Sequence, residues 1–306
     1  MSKFIKSIFF FVLICCFSYC ILILIWGKYA PEFIAGNLLY KKGSNSFMYT
    51  RLKEAENYGK TDVLFLGSSH TYRGFDTRIF EKHGIRAFNL GSSAQTPLQT
   101  NLLLKRYLHK LNPSVIIYEV YPRTFCSDGI ESSLDIIANN TNDFETFKML
   151  VKQNNLKGYN TFLYGIMNDF IKGNSFIEKS IIGDNVYVKG GYVTKKINYY
   201  NASIKQEQKS WEFNNKQLIA FNENICLIKS KKIKLILVEA PLTHSLFSSY
   251  TNNDVFDKMI NNYSAYYNYN NLLNLNDSLH FDDEDHLNQS GVNIFNEALI
   301  EDLFKK

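Results

Sequence analysis

Four short apolar runs, separated by stretches of helical periodicity, restrict the fold of this sequence more than any other feature. They lie at residues 63–66, 87–90, 115–120 and 233–238, are rich in β-branched or aromatic side chains, and end near glycine, proline or small residues. Short runs of that kind mark strands buried on both faces. The spacing predicts helices over residues 77–83, 99–110 and 215–230, with another at 50–56 and a last one within 287–304. Strand and helix in alternation require parallel pairing with helices on both faces, a doubly wound α/β architecture. Ligands bind in such sheets beyond the carboxyl ends of the strands. Ser69 and Gly91 follow two of those ends.

Between residues 124 and 211 the alternation stops, and the stretch is rich in Asn, Lys, Phe and Tyr with a Gly190-Gly191 turn. It reads as an insertion. Two roles stay open for it: a cap that shapes a substrate site, or peripheral helices and a hairpin outside the chemistry. The Asn-rich stretch at 261–271 matches the composition of the whole chain, so it is assigned no function.

Residues 8–26 carry no charge and few polar side chains, close to the roughly 20 residues that cross a bilayer core as a helix. The run ends at Trp26 and Tyr29, which suit an interface, and lacks a small-residue cleavage site. An uncleaved membrane anchor is therefore expected over 1–27, a juxtamembrane connector over 28–60 and the α/β domain over 61–306. Lys3 and Lys6 favour a cytoplasmic start, against a weaker opposing bias from Lys28, Lys41 and Lys42. That predicts a single-pass cell-membrane protein with an extracytoplasmic domain. Cys15, Cys16 and Cys20 lie in the apolar run, and the bulky Phe17 and Tyr19 before Cys20 argue against lipid attachment there. Only Cys126 and Cys226 remain, which makes neither a disulfide framework nor a zinc spacing. No metal or cofactor is expected. The net charge of +5 on 306 residues is scattered rather than gathered in a basic stripe, so nucleic acid is not an expected partner.

The chemistry-bearing residues sit at the two ends of the domain. A serine hydroxyl is a weak nucleophile until a base takes its proton, and the base needs a third group to hold its tautomer. Ser69, in Gly67-Ser68-Ser69-His70, offers the hydroxyl; His286 and Asp283, in Asp283-Glu284-Asp285-His286, offer the base and its carboxylate. Each motif alone has a plainer reading. Ser68, Ser69 and Thr71 suit a helix start, and Asp282, Glu284 and Asp285 suit a solvated acidic turn that caps the last helix. The pairing of the two ends favours a serine hydrolase or acyltransferase. His70 is expected as a wall of the pocket or a helix-start residue, because neighbours on a tight turn point apart. His244, beyond the fourth strand, is a candidate for the same crevice. Arg73 is expected to pair with Asp76 on the surface, its other reading being a grip on an anionic substrate group.

These blocks, in this order, resemble the SGNH (GDSL-like) hydrolase superfamily over 62–304. The resemblance implies a flavodoxin-like three-layer α/β/α fold with Ser69 as nucleophile and Asp283 and His286 completing a triad. Gly91, in Phe88-Asn89-Leu90-Gly91-Ser92-Ser93, corresponds to the second-block glycine, so the amides of Ser69 and Gly91 would form the oxyanion hole. Two positions depart from the pattern. Ser68 replaces the usual Asp, as in membrane-tethered relatives that move acyl groups onto cell-surface polymers. The third block is absent where Tyr118-Glu119-Val120-Tyr121-Pro122 stands, leaving Tyr121, Asn89 or Gln95 as candidate replacements for its Asn donor. Losing one oxyanion donor costs about 10²- to 10³-fold in rate. The resemblance implies an esterase or O-acyltransferase acting on acyl groups, acetyl foremost, of a cell-surface glycan, with an acyl donor, a glycan acceptor and a membrane-embedded acyl-transferring partner. A weakly active or inactive binding or assembly subunit of a polysaccharide-modifying system is the competing expectation.

Overall fold

The computed structural model describes residues 2–31, 33–34, 36–44, 46–172, 176–201 and 206–305. Its strands are, in chain order, β1 (Val63–Leu66), β2 (Ala87–Asn89), β3 (Val115–Glu119), β4 (Ile181–Ile182), β5 (Asn185–Val188), β6 (Tyr192–Lys195), β7 (Lys234–Glu239) and β8 (Ala265–Asn268). β1, β2, β3, β7 and β8 make one parallel sheet of order β2-β1-β3-β7-β8. This is the three-layer α/β/α arrangement that the alternation required. Strand period divides the core in two. Leu64, Leu66, Phe88, Ile116, Leu235 and Leu237 pack with helices Pro97–Leu111 and Asn215–Ser230, whereas Val63, Phe65, Ile117, Ile236 and Val238 pack with Thr77–Lys82 and Gln289–Phe304. Each of these fully buried side chains contributes about 1.5–3 kcal/mol.

Register decides where the site lies. Phe65 is level with Asn89, and Leu66 with Tyr118, so Gly67, Leu90 and Glu119 emerge together at the carboxyl edge. The helices on that edge start at specific caps. The Thr96–Gln99 capping box with Pro97 starts its helix two residues before the expected 99. Asn288 accepts from the amides of Ser290 and Gly291, so the terminal helix starts at Gln289 and residues 283–286 stay in the preceding loop.

The fifth strand falls in the Asn-rich 261–271 stretch. β8 is an edge strand of sequence Ala-Tyr-Tyr-Asn, half exposed, so it needs no continuous apolar run, and its Tyr266 hydroxyl reaches Glu239 Oε2 at 2.7 Å. Its pattern is therefore invisible to a search for buried strands.

The 124–211 region holds helices Ile130–Asn139, Phe144–Gln153 and Leu156–Lys172, then the antiparallel sheet of β4, β5 and β6. That sheet is tied to the edge of the main one, where Asn89 N donates to Gly190 O at 2.7 Å, and to helix Met48–Asn57, whose buried Arg51 Nε donates to Gly191 O at 3.0 Å. At the other end, helix Ser2–Tyr29 is long and apolar enough to cross a membrane. Its last turns rest on helix Leu156–Lys172, through a 2.6 Å bond from Tyr19 Oη to Asn160 Oδ1 and packing of Ile23 on Leu38 and Tyr164.

Candidate active site

β1 ends at Gly67, whose φ of +143° favours glycine and where a Cβ would stand 2.3 Å from Thr71 Oγ1 and 2.6 Å from Glu119 Oε2. Gly67→Ala is therefore expected to destabilise the fold by about 1–3 kcal/mol from overpacking alone, read as a lowered denaturation midpoint at unchanged m-value. The turn leads into helix Ser69–Gly74, capped by Ser68. Gly91 comes against this turn from β2, where a Cβ would lie 2.8 Å from Ser68 O. Ser69 is the first residue of its helix, so its amide has no intrahelical acceptor.

The structure brings Ser69 and His286 together across 217 residues of sequence: His286 Nε2 is 2.8 Å from Ser69 Oγ. On the far side of the ring, His286 Nδ1 is 2.9 Å from Asp283 Oδ1. A second carboxylate shares that nitrogen, with Asp285 Oδ1 at 2.8 Å. Asp283 is half-exposed and its Oδ1 also accepts from the amides of Asp285 and His286. Asp285 is largely buried, its Oδ2 3.8 Å from His70 Nε2 and 3.7 Å from Arg123, with the Tyr121 hydroxyl donating to it at 3.3 Å.

His70 stands second in helix Ser69–Gly74, the helix-start position that was one of the two expected for it. Its ring is buried, stacked on Tyr121 at 4.1 Å and edge-on to His286 at 5.1 Å between centroids. Nδ1 lies 3.6 Å from Glu119 Oε1. Burial alone would lower its pKa, but Asp285 and Glu119 outweigh that and push it up to about 10. His70 thus lies between two carboxylates that both favour its protonated form. Burial also lowers His286, and Asp283 and Asp285 together raise it above its ordinary value, with His70 opposing. Burial would raise Asp285, yet His286 and His70 hold it well below the usual carboxylate range.

Several other expected site residues are engaged elsewhere. The Gly91 amide, expected to face the oxyanion, donates to Asn89 Oδ1 at 3.1 Å, because the Asn89 side chain folds back over its own turn. The Asn89 amide group bonds Thr71 O at 2.6 Å, so it pins the nucleophile helix to β2 instead of replacing the third-block donor. Gln95 bonds Ser92 and Thr100 within its loop, and Tyr121 faces Asp285. His244 is exposed, its backbone amide bonded to Asp277, and it lines a separate cavity with Phe247 and Leu272. The expected Arg73–Asp76 pair does not form: Asp76 Oδ2 takes Arg78 at 2.6 Å, and its Oδ1 caps the helix that Arg78 sits on.

Glu119 and Asp285 belong to the site without having been expected from sequence. One signal for Glu119 was available: a carboxylate closing the apolar run of β3 at its carboxyl end. Asp285 carried no such signal, since an acidic turn reads alike whether solvated or buried. Among the described residues His70, Asp285 and His286 could together approach a metal, their ligand atoms lying within 4.8 Å of one another. Of these, His286 Nδ1 already faces Asp285 Oδ1 at 2.8 Å, and a cation bound through that pair would displace the proton between them.

No family model matches the chain, and no curated protein matches it. Twelve solved chains are similar to it, among them the following two. One is a GDSL-like lipase from Bacteroides thetaiotaomicron, at 12% identity and TM-score 0.41, with 86% of this chain and 99% of that chain covered. The other, a protein assigned as an acylhydrolase from Bacteroides fragilis, has 13% identity and TM-score 0.39 over 87% and 99% of the two chains.

Proposed function

We propose that this chain is a membrane-tethered serine esterase or O-acyltransferase that removes or moves an acyl group on a cell-surface glycan, with its α/β domain outside the cytoplasm. The 2.8 Å approach of Ser69 Oγ to His286 Nε2 carries the reading. Ser69 Oγ attacks the acyl carbonyl while its proton passes to His286 Nε2. Asp283 and Asp285 hold the Nδ1 proton and offset the charge that forms on the ring. The tetrahedral oxyanion faces the Ser69 amide. Collapse returns the proton to the leaving alcohol and leaves an acyl-serine. Water or a sugar hydroxyl then attacks, with His286 again taking the proton, which releases the acid or the acylated glycan. The membrane helix favours transfer, beside a membrane-embedded partner that supplies the acyl group.

A fluorophosphonate probe tests the nucleophile. Labelling of the folded wild type that is lost on boiling supports it; no labelling leaves the chain as a binding or assembly subunit. One observation favours that second reading, namely that the Gly91 amide is occupied by Asn89.

The pH profile is a separate check. The base form of His286 must accept the proton, and its pKa is raised by the two carboxylates. Activity on a neutral ester, as kcat/KM, is expected to rise with pH through a limb above the ordinary histidine value near 6.5. Asp285→Asn removes one of the carboxylates and should move that limb to lower pH. A limb at or below the ordinary value in the wild type would refute the coupling.

A further inference from the structure

We propose that the cavity lined by Arg73, one helical turn past Ser69, binds the phosphate of an amphipathic substrate. Calling the occupant a substrate rests on the hydrolase reading; its binding does not. Arg73 lies four residues after Ser69 in one short helix, which places both on the same face. With Asp76 held by Arg78, no carboxylate among the described residues lies within ion-pair distance of Arg73. Its Nε is buried with no hydrogen-bond acceptor. The guanidinium lies over the Tyr72 ring and feels the charges of Asp283 and Asp282, and Arg73 also lines the cavity, where an anion would meet its charge.

The cavity has a volume of about 530 Å³, within the range of small-molecule sites. Its wall combines Lys41, Arg73 and Lys157 with the apolar Leu39, Tyr72 and Leu134. Two carboxylates also line it, but both are engaged. Glu131 accepts from the Ser93 hydroxyl at 2.8 Å and Asp135 from Ser46 at 2.8 Å. Burial pushes Asp135 up to about 6, and against these two carboxylates the three cations still leave one positive charge in excess. An excess of positive charge against apolar walls suits an anionic group joined to a hydrocarbon or sugar body. Lys157 belongs to the helix that packs on the membrane helix, and Leu39 follows Leu38 of the same contact. The anion is therefore either a lipid headgroup phosphate or a soluble phosphate ester.

Thermal unfolding of the full-length chain in detergent, in a Ser69→Ala background that removes turnover, tests the site with inorganic phosphate and glycerol phosphate as probes. Saturating phosphate is expected to raise Tm by several degrees, and adding Arg73→Gln to abolish most of the rise. Arg73→Lys should retain part of it, and serves if the Gln variant is unfolded in phosphate-free buffer. No rise in Ser69→Ala, or an equal rise with and without Arg73, overturns the anion site. In nanodiscs, a glycerol phosphate response lost when phosphatidylglycerol replaces phosphatidylcholine assigns the anion to a lipid. A response of equal size in both lipids assigns it to a soluble ester. Absence of fluorophosphonate labelling in the wild type would strike only the hydrolase reading, since the phosphate response is read without turnover.

Discussion

Ser69→Ala is expected to abolish fluorophosphonate labelling and to lower kcat on an aryl acetate by roughly 10⁴-fold or more. The magnitude follows from the unit character of a nucleophile and its base: once the hydroxyl is gone, His286 has no proton to take, and only binding and the oxyanion contact remain. Stability should change little. Ser69 Oγ makes its one side-chain bond to His286, so the substitution removes about 1 kcal/mol at most and leaves the helix intact. Ser69→Ala with unchanged activity and a native unfolding midpoint would end the enzyme reading outright.

The second large effect concerns the two carboxylates on one nitrogen. A triad whose Asp is replaced by Asn loses about 10⁴-fold because the imidazole adopts the wrong tautomer. Here His286 Nδ1 lies 2.9 Å from Asp283 and 2.8 Å from Asp285, and either can hold the proton. Asp283→Asn alone is therefore expected to cost well under the full loss, on the order of 10²-fold, because the buried Asp285 keeps the tautomer. The double variant with Asp285→Asn should approach the full 10⁴-fold. Steady-state kinetics of the two single variants and the double give the coupling between them. A full loss from Asp283→Asn alone would show that Asp285 does not orient the ring, and an unchanged rate in Asp285→Asn would reduce it to a partner of His70.

Both carboxylates lie in one stretch of five residues, yet they were not equally legible. Asp283 has the three-residue spacing to His286, a local relation that a single turn of chain can satisfy. Asp285 gains its role from His70, Tyr121 and Arg123, which come from the turn after β1 and the end of β3. Nothing at position 285 distinguishes it from the neighbouring Glu284, whose side chain bonds Gln206 instead. The same contrast holds for hydrogen-bond donors. Gly91 is recognisable from its place after a strand, because the close approach of two turns demands glycine. That its amide is taken by Asn89 depends on a side-chain rotamer, which no pattern encodes.

Sequence alone determined the sheet-and-helix layering, the apolar N-terminal helix and the two ends that supply Ser69 and His286. These follow from periodicity and from residue types at strand ends, which act over a few residues at a time. Tertiary structure alone decided the fifth strand and the column of Glu119, His70 and Asp285 behind His286. Each depends on distant groups meeting in a buried space, where charge and hydrogen-bond partners are chosen by what else is there.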